Sequence, residues 1–325
     1  MRCVLSIDGG GVRGIIPALV LARLEAHTGR PVCRCFDLVA GTSTGGILAL
    51  GLTRPEPAGR GPAFAAEDLV WLYEEWGRHI FERSLSQAVS SVAGLADERY
   101  SAEALERVLR IYFEGARMHQ ALTRVMVTAY DLEARRPFFF KSWERPGNTP
   151  GVAMAAAARA TSAAPTYFEP ARVWCDGVYR ALIDGGVFAN NPGACAYAEA
   201  RRLWPDEDLM VVSLGTGERT EPIPYDEART WGLVAWARPL LGVIFDGASD
   251  AVDYQLRHCL GAGYFRIQGR LHVARDAMDD ASPAQIEALK TEARRIMDRH
   301  QGDLAVVADV LRARDKEDVS WSSGS

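Results

Sequence analysis

Short apolar runs, each closed by glycine or aspartate, alternate along the chain with segments of helical period. Val4–Ile7 is the first run and ends at Asp8. From about Gly14 to Thr28, Ile15, Leu19 and Leu24 recur at the spacing that predicts a helix, with Pro17 in its first turn, where a missing N–H is harmless. Phe36–Ala40 reads as a second strand, ended by Gly41-Thr42-Ser43-Thr44-Gly45-Gly46 and followed by a small-residue helix from Ile47 to Leu52. Residues 53–65, rich in Pro, Gly and Ala, predict a surface loop. Amphipathic helices are expected at about 66–83 and 101–113, the second with Ser101 as its N-cap. Val125–Tyr130 and Pro137–Lys141 predict strands, and Met154–Ala160 an alanine-rich helix. Val178–Ile183 predicts a strand running into Asp184-Gly185-Gly186. Pro192 opens a helix to about Leu203, and Leu209–Leu214 is a buried strand closed by Gly215-Thr216-Gly217. The tail is mostly helical, with a last strand at Tyr264–Gln268 and a polar, frayed end at Ser320–Ser325.

Strands alternating with helices imply an α/β protein: a three-layer αβα arrangement around a mainly parallel sheet covered on both faces. No repeat and no linker divides the chain, which reads as one domain over residues 1–325. Hydrophobic content of 48% and charged content of 24% are those of a globular chain with a buried core. A net charge of −5 argues against a nucleic-acid polymer as partner. Of 37 basic residues only Lys141, Lys290 and Lys316 are lysines, a bias of composition rather than a functional signal. Six scattered cysteines predict reduced, mostly buried thiols. The first strand begins within three residues of Met1, and no apolar run reaches the roughly 18 residues of a membrane span. The expectation is a cytoplasmic protein whose membrane contact, if any, is peripheral, at the inner face.

Ligands of open α/β sheets bind beyond the carboxyl ends of strands. Glycine-rich segments stand at three such ends: 8–14, 41–46 and 184–186. Gly41-Thr42-Ser43-Thr44-Gly45 is a G-x-S-x-G between a predicted strand and a predicted helix, the setting of a sharp turn that exposes a nucleophilic serine. Gly9, Gly11 and Gly14 satisfy G-x-G-x-x-G, which raises an NAD(P)-dependent oxidoreductase as an alternative. That reading needs an acid at the end of the second strand. Asp37 is near the right distance but stands at the strand's start. The loop suits a tetrahedral oxyanion better, because glycine N–H groups at a helix N-terminus are donors held in place beforehand. Arg13 is read as added positive charge there, with a structural salt-bridge partner as the alternative. None of the six histidines lies in a glycine-rich strand end. Asp184 does, as a candidate base whose pKa would be raised for the task; the competing reading is a plain Asx-turn.

Together these segments resemble the patatin-like phospholipase family. Asp8-Gly9-Gly10-Gly11-Val12-Arg13-Gly14 is similar to its oxyanion loop, Gly41-Thr42-Ser43-Thr44-Gly45 to its nucleophile elbow, and Asp184-Gly185-Gly186 to its aspartate motif. Ala160–Pro165 and Phe188–Pro192 extend the likeness, which runs from about residue 4 to 270, with a helical C-terminal extension at about 271–319. The resemblance implies a Ser43–Asp184 dyad, an oxyanion site made by the loop of Gly9, Gly10, Gly11, Arg13 and Gly14, and no cofactor or metal. It implies a phospholipase A or lysophospholipase-type esterase acting on phospholipid or other glycerolipid esters. A triad completed by His258 or His272, and a catalytically silent lipid-binding module, are the remaining alternatives. Trp231–Phe245 is apolar but broken by Arg238-Pro239. It is expected to be a buried helix or a contact between copies, with an edge of an acyl groove or a membrane touch as the alternatives. A homo-oligomer is compatible with it.

Overall fold

In this computed structural model, which describes residues 1–59, 61–80, 100–144, 149–218 and 222–314, the apolar runs become eight strands of one sheet. They are β1 (Arg2–Ile7), β2 (Leu38–Gly41), β3 (Arg124–Asp131), β4 (Arg136–Lys141), β5 (Ala171–Cys175), β6 (Val178–Asp184), β7 (Leu209–Leu214) and β8 (Tyr264–Ile267). The longer helices are α1 (Ile15–Thr28), α2 (Thr44–Thr53), α3 (Ala66–Ile80), α4 (Ala102–Phe113), α5 (Met154–Thr161), α6 (Gly193–Leu203), α7 (Leu233–Leu260), α8 (Pro283–Arg299) and α9 (Gln301–Ala313).

The sheet runs β5-β6-β3-β2-β1-β7-β8, with β4 also paired to β3. Alternate residues of the central strands enter two cores. Cys3, Leu5 and Ile7 of β1 pack with Val39, Val127 and Val212 against α1, α2 and α3, and the same core takes in α8 and α9. Val4 faces the other way with Leu38, Ala40, Met126 and Val211, against Ala196 and Ala200 of α6 and Leu256 of α7. Burial on both faces is why these strands read as unbroken apolar runs, and the layers are the expected αβα.

β3, β2, β1, β7 and β8 are mutually parallel, whereas β4 and β6 run antiparallel to β3, and β5 antiparallel to β6. The sheet is therefore mixed at one side. Its register has a consequence for the site. β2 pairs with β3 up to Gly41 opposite Val127, while β6 arrives from the other direction and ends with Asp184 opposite Ala129. β4 pairs with Met126–Asp131, overlapping both, so β2 and β6 share the opposite edge of β3 and meet there carboxyl end to carboxyl end.

The expected elements are present with small shifts at their ends. Phe36 precedes β2 instead of opening it, because residues 32–35 close a helical turn. β5 was not expected: its five residues alternate buried and exposed, too short a pattern to stand out. Residues 81–83 of the helix expected at 66–83, and the tail Ser320–Ser325, lie outside the described residues. The Trp231–Phe245 stretch opens a helix of 28 residues that continues through Pro239. Among the described residues no helix is long and apolar enough to cross a membrane. None of the six cysteines is in a disulfide, and four of them are buried.

Beneath the carboxyl edge, Asp8 and Arg266 form a buried ion pair at 2.6 Å, and Arg266 also donates to Ser213 Oγ at 2.9 Å. Burial alone would lower the Arg266 pKa; the adjacent Asp8 carboxylate overrides it and raises it. Arg266→Ala strands the Asp8 charge, and urea denaturation should show a loss of about 3–5 kcal/mol. A midpoint equal to that of wild type would mean that the pair does not anchor this edge.

Candidate active site

Ser43 occupies the turn between β2 and α2 with φ 55° and ψ −125°, a backbone conformation rare for a residue with a side chain. Close packing enforces it. A Cβ on Gly41 would stand 2.1 Å from Gly45 O, and one on Gly45 2.2 Å from Ile7 O, so only glycine fits at either place. Thr161 Oγ1, at the end of α5, accepts the Ser43 N–H at 2.8 Å, and Ser43 O accepts the Ile47 N–H at 3.1 Å. The result lifts the hydroxyl off the backbone at the place where β2 and β6 meet.

Asp184 ends β6, 3% exposed, with its N–H donated to Ala163 O at 3.0 Å. Its carboxylate accepts the Gly186 N–H at 2.7 Å, and Ser43, which lines the same cavity, is near enough to pull its pKa down. Among the described residues it has no ion pair. Burial pushes its pKa up to about 7, against the lowering pull of Ser43 and of the Gly186 N–H. The Asp184-Gly185-Gly186 turn is tight because a Cβ on Gly185 would strike Thr128 Oγ1 at 2.1 Å. Thr128 Oγ1 in turn shares a 2.7 Å hydrogen bond with Thr42 Oγ1, which also donates to Ala189 O.

The opening glycines fold over this point. Gly9 donates its N–H to Asn190 O at 3.0 Å, and its own carbonyl accepts from Thr216 Oγ1 at 3.0 Å. Gly11 has φ +59°, and a Cβ there would stand 2.1 Å from Met278 O. Val12 N–H is held by Met278 O at 2.8 Å. Among the described residues no acceptor occupies the N–H groups of Gly10 and Gly11. Arg13 turns its guanidinium to Gly217 O, Gly10 O and Asp276, bracing the loop. Gly14 is required by contact, since a Cβ would meet Thr44 Oγ1 and Tyr73 OH at 2.3 Å.

Gly10, Gly11, Ser43, Thr44, Asn190 and Asp184 line one cavity of about 790 Å³ of empty space, counted to its open mouth. Its remaining walls are mostly apolar, with Val12, Ile47, Leu72, Leu105, Phe168 and Met278 among them. Phe245 of α7 also lines it, whereas Leu233, Leu240, Val243 and Ile244 of the same stretch are exposed, so it is not the buried helix expected and, among the described residues, only its last reaches this cavity.

The family model named Patatin-like phospholipase matches residues 5–194, a span that includes all three glycine-rich segments. The chain belongs to the patatin-like phospholipase family. Patatin-like protein 2 of Oryza sativa subsp. indica is 32% identical over 92% of this chain and 84% of its own length. Patatin-like protein 4 of Arabidopsis thaliana is 32% identical over 91% and 83%, and Patatin-04/09 of Solanum tuberosum 33% identical over 89% and 82%.

Family membership supports a lipid acyl hydrolase or esterase in general and does not favour the dinucleotide alternative. The structure agrees on physical grounds. Asp37 lies at the amino end of β2, where it accepts the Cys3 N–H at 2.8 Å and pairs with Arg2 and Arg314, far from any ribose the loop could present. His258 and His272 are exposed and line no part of the patatin-like cavity; His258 Nδ1 bonds Tyr254 O at 2.7 Å. Sequence reasoning gave Thr161, Ala163, Asn190 and Tyr73 no role. The Ala160–Pro165 and Phe188–Pro192 segments were the signal for the first three, whereas nothing local marks Tyr73, whose OH binds Thr44 Oγ1 at 2.5 Å.

An aspartate whose folded pKa lies above its unfolded value loses stability as pH rises from the ordinary carboxylate range to about 7, and keeps that loss above it. Asp184→Asn should therefore be more stable than wild type at pH 8, by a few kcal/mol at about 1.4 kcal/mol per pKa unit, and gain little at pH 4. Thermal denaturation at the two pH values measures this; an equal effect at both would remove the buried charge as its cause.

Proposed function

We propose that this chain is a serine lipid acyl hydrolase of the phospholipase A or lysophospholipase type, using Ser43 and Asp184 as a catalytic dyad. The observation that carries the reading is the convergence of four groups on one apolar cavity: a strained serine, a buried aspartate and two unoccupied glycine N–H donors. Ionised Asp184 accepts the Ser43 proton as Oγ attacks the ester carbonyl. The oxyanion forms against the N–H groups of Gly10 and Gly11, at the start of a helical turn that leads into α1 and adds its positive dipole end. Asp184 returns the proton to the leaving alcohol, and water then releases the acyl group from Ser43 by the same route in reverse.

Apolar walls suit a fatty acyl chain, and the polar groups sit where its carbonyl would stop. The substrate class is therefore a phospholipid or other glycerolipid ester. The chain is read as one patatin-like domain in which α8 and α9 close over α1 from the C-terminal side. Gly9, Arg13 and Gly14 act indirectly, by shaping the loop that aims Gly10 and Gly11.

Ser43→Ala and Asp184→Asn should each lower hydrolysis of a p-nitrophenyl ester and of phosphatidylcholine by roughly 10³-fold or more. A fluorophosphonate should label wild type and not Ser43→Ala. Turnover close to wild type in either variant contradicts the dyad, and failure of the probe to label a folded wild type favours a silent lipid-binding module.

A further inference from the structure

A second hollow, of about 690 Å³ of empty space counted to its open mouth and sharing no residue with the Ser43 cavity, lies between the end of β8 and one face of α8. It is lined by Gly269, Arg270, His272, Arg295, Ile296 and Arg299. Close packing builds it. A Cβ on Gly269 would stand 2.7 Å from Ile296 Cγ1, so glycine is what lets the chain after β8 approach α8. Glu218 pins that chain, donating its N–H to Gly269 O at 3.0 Å and accepting the Leu271 N–H at 2.8 Å. Arg270 and His272 are thereby set opposite Arg295 and Arg299, which stand four residues apart on the helix.

The charge in this hollow is unbalanced. Glu292, fully buried, accepts the N–H groups of His272 at 2.6 Å and Val273 at 2.5 Å and lies 3.5 Å from Arg295. Among the described residues Arg270 and Arg299 have no ion pair. Some exposed helical arginines elsewhere are answered by a neighbouring acid, as in Arg202–Glu199, Arg257–Asp253 and Arg312–Asp309, whereas Arg107 and Arg294 have no ion pair among the described residues. On a chain with a net charge of −5, three arginines around one concavity are a local reversal of sign. Guanidinium groups match phosphate oxygens two at a time, and a concave wall concentrates their field.

We propose that this hollow binds a multiply charged phosphate group, carried by a lipid head group or by a soluble phosphorylated ligand. Calorimetry of the full chain with pyrophosphate, and flotation with phosphatidylcholine vesicles with and without phosphatidic acid, test it. Wild type should bind at least one probe. Arg270→Glu/Arg299→Glu should weaken that binding by about tenfold or more, while Arg107→Glu, a charge reversal on α4, leaves it unchanged. Retained p-nitrophenyl ester hydrolysis shows that the double variant is folded; if it is not, Arg299→Gln replaces it. Flotation that needs phosphatidic acid and is lost in the variant assigns the head group. Pyrophosphate binding without flotation assigns the soluble ligand. The site is overturned if wild type binds neither probe, or if Arg107→Glu weakens binding as much as the double variant.

Discussion

One edge of β3 sets the geometry of the whole site. β2 and β6 occupy that edge in tandem and end facing each other, at Gly41 opposite Val127 and at Asp184 opposite Ala129. Only Thr128 separates the two positions along β3, and its hydroxyl bonds Thr42 on the β2 side while Gly185 presses against it from the β6 side. Neither strand can continue without colliding with the other. Each must turn, and the residues at the turns are Ser43 and Asp184. The tight glycine turns follow from this collision, and so does the approach of the 8–14 loop over it, held by Asn190 O at Gly9 and Thr216 at the Gly9 carbonyl.

Two buried aspartates show how the same side chain is put to different uses. Asp8 is paired with Arg266 at 2.6 Å and belongs to the framework. Asp184 has no ion pair among the described residues, so burial outweighs the lowering pull of Ser43 and the Gly186 N–H and its pKa rises to about 7. That is unfavourable for stability and suits the proposed role of a group that takes and returns a proton near neutrality. Ser43 adds a second local strain, of the order of 1–2 kcal/mol for a non-glycine residue at positive φ. Thr161 Oγ1 and the packing of Gly45 on Ile7 O hold the turn against it.

Much of this was legible in the sequence. The central strands announce themselves as apolar runs because both faces are buried, and the glycines at 41 and 45 mark close approaches of backbone while that at 185 marks a close approach to Thr128 Oγ1. What stayed hidden depends on partners distant in sequence. The apolar run before Asp184 says nothing of strand direction, so the antiparallel arrival of β6 could not be read from it. β5 alternates over five residues and needs β6 to become a strand. The loop glycines look alike in sequence, yet Gly9 donates to Asn190 O while no acceptor among the described residues takes the N–H groups of Gly10 and Gly11, a difference made by residues some 180 positions away. For Arg13 the sequence leaves open a charge for the site or a structural salt-bridge partner, and its contacts to Gly217 O and Asp276, more than 200 positions away, are those of the second.

The central claim is that a buried Asp184, ionising near neutrality, activates Ser43. The most direct measurement is the rate at which a fluorophosphonate labels Ser43 as a function of pH. The account predicts a labelling rate that rises with pH through an inflection near 7 and then levels off, with the inflection absent and the rate low throughout in Asp184→Asn. A rate that stays flat from pH 5 to 9, or an inflection that survives in Asp184→Asn, would contradict it.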